Sequence, residues 1–352
     1  MGELLKAQLR LVLPALAAAL LGCGGSSHHY VYAVGKAAQG VFGFTEKSSG
    51  ELTGINGSPF STGGQPVGVA ITPSRNFGYV ISAGGNGVVG YTFDNKTGGL
   101  NLATGAVSTG TNPVALAIDP SSQHLYVLNQ GSSNISAYSI DTFSGALTAL
   151  SGSPFATLTN PISMALSPKG NALYVVSPTQ GLAGIAVNGD GTLGSASTPV
   201  SAGTSPAFVT VDPGDKFVYV ADAAGNAVLG FTVSGSGVSG SGSSTAAGTG
   251  PSALAVSPDS KFLFAANGGS NNVSVFSIGS GGALTQVQGS PFAAGTTPSF
   301  LITDLAGGHL FVANAGSSNL SEFSIGGSGT LTPSSGSPFA ISTTPIWIAV
   351  TD

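Results

Sequence analysis

The apolar positions of this chain fall into short runs that return at a fixed interval. A segment of the form P-x-x-Φ-A-Φ-x-P, with Φ apolar, reads Pro66-Val-Gly-Val-Ala-Ile-Thr-Pro73, then Pro113-Val-Ala-Leu-Ala-Ile-Asp-Pro120, then Pro161-Ile-Ser-Met-Ala-Leu-Ser-Pro168. It recurs from Pro206, Pro251, Pro298 and Pro345, so the first prolines lie 47, 48, 45, 45, 47 and 47 residues apart. A period of about 40–50 residues holding four short strands predicts a β-propeller. In each unit the quoted run is strand A. In the second complete unit, strand B follows at Leu125–Leu128, strand C at Ile135–Ile140 and strand D at Ala146–Leu150. Strand D often ends in Gly-Ser-Pro-Phe, as at Gly57–Phe60, Gly152–Phe155, Gly289–Phe292 and Gly336–Phe339. A proline there removes a donor from the outer edge and blunts unwanted pairing.

The two ends of the array are complementary. The chain enters the repeat with strand B (Val31–Val34), strand C (Val41–Phe44) and a strand D from Leu52, without a strand A. It finishes on a lone strand A, Ile346–Val350. Six complete units plus these two fragments give seven four-stranded blades, with the last strand closing the ring inside the first blade. Residues 235–249 are a Gly/Ser tract where one strand D belongs, which predicts a weak or frayed strand. The expected organisation is a signal peptide over 1–22, a tether over 23–29 and a single propeller over 30–352.

The first 22 residues read as an export signal. Lys6 and Arg10 precede the apolar run Leu11–Leu21, and small residues follow. That run is shorter than the roughly 20 residues a membrane-spanning helix needs. Leu20-Leu21-Gly22-Cys23 resembles a bacterial lipobox, in which the cysteine becomes the first mature residue and carries lipid. Cys23 is also the sole cysteine, so no internal disulfide competes for it. The resemblance implies an exported protein held to a membrane by lipid on Cys23, at the outer membrane, cell surface or periplasm of a bacterium.

The strings Leu125-Tyr-Val-Leu-Asn129, Phe264-Ala-Ala-Asn267 with Asn271-Asn-Val-Ser-Val275, and Phe311-Val-Ala-Asn314 resemble YVTN-type propeller repeats. Over residues 30–352 the chain resembles the seven-bladed lactonase family, which includes propeller-type 6-phosphogluconolactonases. Members of that family place Arg, His and acidic side chains around the upper channel mouth. No position here matches such a set, so the resemblance carries over no catalytic residue.

Charge changes the picture further. Charged residues are 7% of the chain, against about 25% in an ordinary globular protein. No basic patch is present to neutralise phosphates, which argues against a nucleic-acid partner. Strand direction alternates within a blade, so the D-to-A and B-to-C loops share one face, where propeller sites usually lie. Its D-to-A loops hold no ionisable side chain, and its B-to-C loops add Lys36 and Asp222. Most other charges, with His124 and His309, fall near the opposite face, and Glu322 falls within a strand C. Asp119, Asp212 and Asp304 stand at A-to-B turns, where carboxylates bond turn N–H groups.

The candidate ligand-binding residues at the mouth are therefore Lys36, Asp222, Asn129, Asn267 and Asn314. They suit a neutral polar ligand, a sugar or peptide, or a protein partner. His28-His29 has no acidic neighbour in sequence to complete a metal site, and no cofactor motif is present. Three functions compete: a non-catalytic binding or scaffold propeller, a lactone hydrolase, and a structural surface-layer component. Metabolic labelling with a radioactive fatty acid tests the anchor. Wild type should take up label and Cys23→Ala should not; equal absence of label in both sinks it.

Overall fold

The computed structural model describes residues 29–35, 39–47 and 50–351. Cys23, the rest of the leader, His28 and Lys36 lie outside the described residues. Among the described residues every regular element is a strand, and the strands form seven antiparallel sheets, five of them five-stranded and two four-stranded. Each inner strand A packs against the next one round to the first, so the chain is a seven-bladed β-propeller.

Ring closure follows the complementarity of the chain ends. The last strand, Pro345–Thr351, pairs antiparallel with the first, His29–Gly35, in the register Tyr30↔Thr351 to Val34↔Trp347. Both carry alternating apolar residues, and Tyr32, Val34 and Ile348 are fully buried. One blade is thus built from both ends of the chain, which leaves the array no open edge.

Two sequence expectations need correction. Gly-Ser-Pro-Phe is not the end of strand D but its interruption. Leu147–Ala149 and Phe155–Ala156 both pair with Asn134–Ile140. In the gap, Ser153 Oγ accepts the Ala137 N–H at 2.9 Å, so a hydroxyl replaces the missing ladder carbonyl. Ser58, Ser290 and Ser337 do the same for Gly43, Val275 and Glu322. The Gly/Ser tract also forms a strand rather than fraying: Gly237–Ala246 spans ten residues. It pairs along Ala227–Ser234, with a register shift opposite Gly230–Thr232 near the positive-φ glycines Gly240 and Gly242. Backbone hydrogen bonds hold it where side chains contribute little.

Neighbouring blades are bolted by tyrosines in strand B. Tyr32, Tyr79, Tyr126 and Tyr219 donate their hydroxyls to the carbonyls of Gly98, Gly145, Gly191 and Gly282, each in the C-to-D turn of the next blade. Those glycines have positive φ and press on an aromatic or imidazole ring, so no side chain fits there. Tyr174 holds the same position but its hydroxyl has no partner. Phe264 and Phe311 replace the tyrosine in the remaining two blades.

The axis is filled by aromatic rings. The third residue of strand A is Gly68, Ala115, Ser163, Phe208, Ala253, Phe300 and Trp347 in successive blades. Three large side chains thus face four small ones. Phe300 and Trp347 stack at 4.6 Å between centroids, and Phe208 meets Phe300 edge-on at 5.8 Å. Trp347 also packs against apolar clusters of several blades and donates Nε1–H to the Val69 carbonyl at 2.9 Å. Trp347→Ala should cost about 3–5 kcal/mol, the range for emptying a large aromatic site. Deleting residues 345–352 should cost more, because it removes the closing strand as well. Urea unfolding measures both; a truncated chain as stable as wild type would overturn terminal closure.

Candidate functional site

The face where the D-to-A and B-to-C loops meet was the expected site, and its polar residues share one structural position. Asn129, Asp222, Asn267 and Asn314 are each the last residue of a strand B. All are buried, the three asparagines completely. Asn129 Nδ2 donates to Asn134 Oδ1 at 2.9 Å and to Ser136 Oγ at 3.0 Å. Ser136 Oγ in turn accepts the Gly110 N–H of the loop that enters the same blade. Asn267 with Asn272 and Ser274 repeats this bracket, and so does Asn314 with Asn319 and Ser321, except that there Asn314 Oδ1 itself accepts the Gly295 N–H. The sequence spacing N-x4-N-x-S is the mark of it.

Asp222 occupies the same slot in a blade that lacks the other two members, with Ala227 and Leu229 in their places. Its carboxylate instead accepts the N–H groups of Thr204, Ser205 and Gly225 at 2.8, 2.7 and 3.1 Å. Glycines 203 and 225 give it room; a Cβ on either would lie within 2.3 Å of the carboxylate oxygens. Asn129, Asp222, Asn267 and Asn314 are thus brought to one face, but their side chains turn inward to hold loops, and Lys36 lies outside the described residues. What that face presents is a rim of Thr, Ser and Asn above half-buried Val67, Val114, Ile162 and Ile346. Below them lies the aromatic fill of Phe208, Phe300 and Trp347. The repeat pattern carried a signal for that fill, since one strand position alternates between very small and very large residues.

On the opposite face, the turn carboxylates act as their positions suggested. Asp119 Oδ1 accepts the Gln123 and His124 N–H groups, Asp212 Oδ1 those of Lys216 and Phe217, and Asp304 Oδ1 that of His309. Where the last blade meets the first, however, acids and imidazoles converge in a way the sequence did not disclose. His309 Nδ1 lies 3.0 Å from Glu46 Oε1 and 3.7 Å from Asp304 Oδ2. His29 Nδ1 lies 3.7 Å from Glu46 Oε2, so the acidic neighbour absent from its sequence surroundings is supplied by the adjoining strand. Glu322 is fully buried beside them, and neither of its carboxylate oxygens has a hydrogen-bond partner. Burial, reinforced by the Glu46 charge, pushes the Glu322 carboxyl up to about 7. Hydrogen bonds to Asp304 and then Glu46 raise His309 to about 10. Donor atoms of Glu46, His309 and Glu322 all lie within 4.8 Å of one another, close enough to share one metal ion.

Comparison with known proteins agrees with this architecture. The family described as Lactonase, 7-bladed beta-propeller matches the chain at residues 26–156, 150–251 and 238–348. Among curated proteins nothing matches. A candidate 6-phosphogluconolactonase from Bacteroides fragilis superposes with a TM-score of 0.77 at 20% identity, over 93% of this chain and 99% of that one. The periplasmic gluconolactonase of Pseudomonas aeruginosa gives 0.73 at 17% identity, over 93% and 99%. A protein of unknown function from Desulfotomaculum acetoxidans gives 0.73 at 18%, over 91% and 98%. These likenesses, all at low identity, concern the fold.

The bracket can be tested through its most charged member. Asp222→Ala strands three loop N–H groups and should destabilise the protein by about 3 kcal/mol, the upper range for hydrogen bonds to a charged group. A denaturation midpoint equal to wild type would mean the carboxylate is free for a ligand.

Proposed function

Because the chain belongs to the seven-bladed lactonase family of β-propellers, we propose that it works there as a non-catalytic binding propeller, exported and held at a membrane by lipid on Cys23. The observation that carries this reading is the engagement of Asp222. Opening a lactone calls for a group that can take a proton from water near the substrate. The carboxylate on this face is buried and bonded to three backbone N–H groups. Holding a phosphorylated sugar calls for Arg or Lys clusters, and sequence offers this face Lys36 alone. The rim of hydroxyl and amide groups over apolar residues suits a neutral polar ligand, a sugar or a peptide, or a protein partner. Concave apolar surfaces with a few polar groups are the usual form of such sites.

A second reading is a lactone hydrolase. It is favoured by the family match and by neighbours described as gluconolactonase and candidate 6-phosphogluconolactonase. An assay of the purified protein against glucono-δ-lactone and its 6-phosphate separates the two. The binding reading expects hydrolysis at the buffer rate. Turnover well above it that collapses in Lys36→Ala would replace the binding reading with the hydrolase.

A further inference from the structure

Seven copies of one blade provide an internal control for every position. In strand C, the residue paired with the central aromatic of strand B is Gly43, Gly90, Ala137, Gly184, Gly230 or Val275 in six blades. In the seventh it is Glu322, opposite Phe311. Near the end of strand C the other blades carry Phe93, Ile140, Val187, Val233, Ile278 and Ile325, whereas the first carries Glu46. Two acids thus replace small or apolar residues, and the ring places both at one junction. A buried carboxylate without a partner is costly. Local conflicts with an otherwise consistent pattern are where function is expected.

We propose that Glu46, Glu322 and His309 form a binding site for one divalent transition-metal ion, of the zinc or manganese class, at the junction of the first and last blades. The donor set is two carboxylates and an imidazole, which suits those ions. An ion of charge +2 would displace the proton that His309 shares with Glu46 and balance the two glutamates. A separate side chain points to the same place. Ser334 is nine-tenths buried and its Oγ has no hydrogen-bond partner. Gly50, at φ +77°, packs closely against both: a Cβ there would lie 2.6 Å from Glu322 Oε1 and 2.9 Å from Ser334 Oγ. Both oxygens therefore lie around one point beside the Gly50 backbone, where no larger residue fits. Donors about 2.1 Å from one ion stand at most ~4.2 Å apart, and those of this cluster lie within 4.8 Å of one another. His29 and His309 are about a third exposed, and the path to solvent runs past them.

The test uses untagged protein, stripped with chelator and dialysed. Titration calorimetry with zinc, manganese and calcium chlorides, and elemental analysis after gel filtration, read the outcome. One zinc or manganese ion per chain is expected, with calcium held more weakly because imidazole is a poor ligand for it. Glu322→Gln and Glu46→Gln, which keep side-chain shape, should each weaken binding at least tenfold while the far-UV spectrum stays that of wild type. His124→Gln, at the matching position of another blade, should leave affinity unchanged. No stoichiometric ion, tighter calcium than zinc and manganese, or undiminished affinity in Glu322→Gln would each overturn the site.

Discussion

The antiparallel pairing of Pro345–Thr351 with His29–Gly35 is the constraint on which everything else depends. A linear array of blades exposes an apolar inner face at each end, and stacking neighbours buries it everywhere else. Joining the two ends removes both exposed faces at once. The same pairing seats Trp347 on the axis, so closing the ring and filling its centre are a single event. It also fixes the angle at which the first blade meets the last, and with it the distance between Glu46 and His309.

Much of this was legible in the sequence because it is carried by local signals that repeat. The proline-framed runs marked the inner strands, their spacing marked the blade, and the unequal chain ends marked the closure. The turn aspartates Asp119, Asp212 and Asp304 were legible for the same reason, since each partner lies a few residues away. The asparagines were placed on the correct face, but their orientation was not readable. Asn129 turns inward because Asn134 and Ser136 stand across the ladder to receive it, and a one-dimensional pattern does not say which way a side chain faces. The Gly/Ser strand Gly237–Ala246 was misread because side-chain preference is weak there while backbone pairing with Ala227–Ser234 holds on both sides of one register shift. The cluster of Glu46, His309 and Glu322 was invisible, since its members come from opposite ends of the chain.

The top and bottom faces use charge differently. On the top face, polar groups stabilise loops through bonds to backbone, leaving a neutral outer layer. The bottom face has exposed ion pairs, among them Lys47 with Glu51 and Lys261 with Asp259. Exposed pairs of this kind add little stability, typically below 1 kcal/mol. The buried acids at the blade junction are a different matter, because their desolvation must be offset locally. The neutral polar face and the charge-rich junction on the other can therefore change independently, as the ring between them is held mainly by apolar packing.

The tyrosine bolts give the ring a direction. Four junctions are pinned by a hydroxyl that reaches a glycine carbonyl of the next blade. The junctions that follow Tyr174, Phe264 and Phe311 lack that pin, and the last two flank the blade next to the one that holds both chain ends. A closed band with fasteners missing on two adjacent panels and on one further round is not fastened evenly about its circumference. A repeat that looks sevenfold is thus a molecule with a front and a back, its two adjacent unpinned junctions setting one side apart from the other.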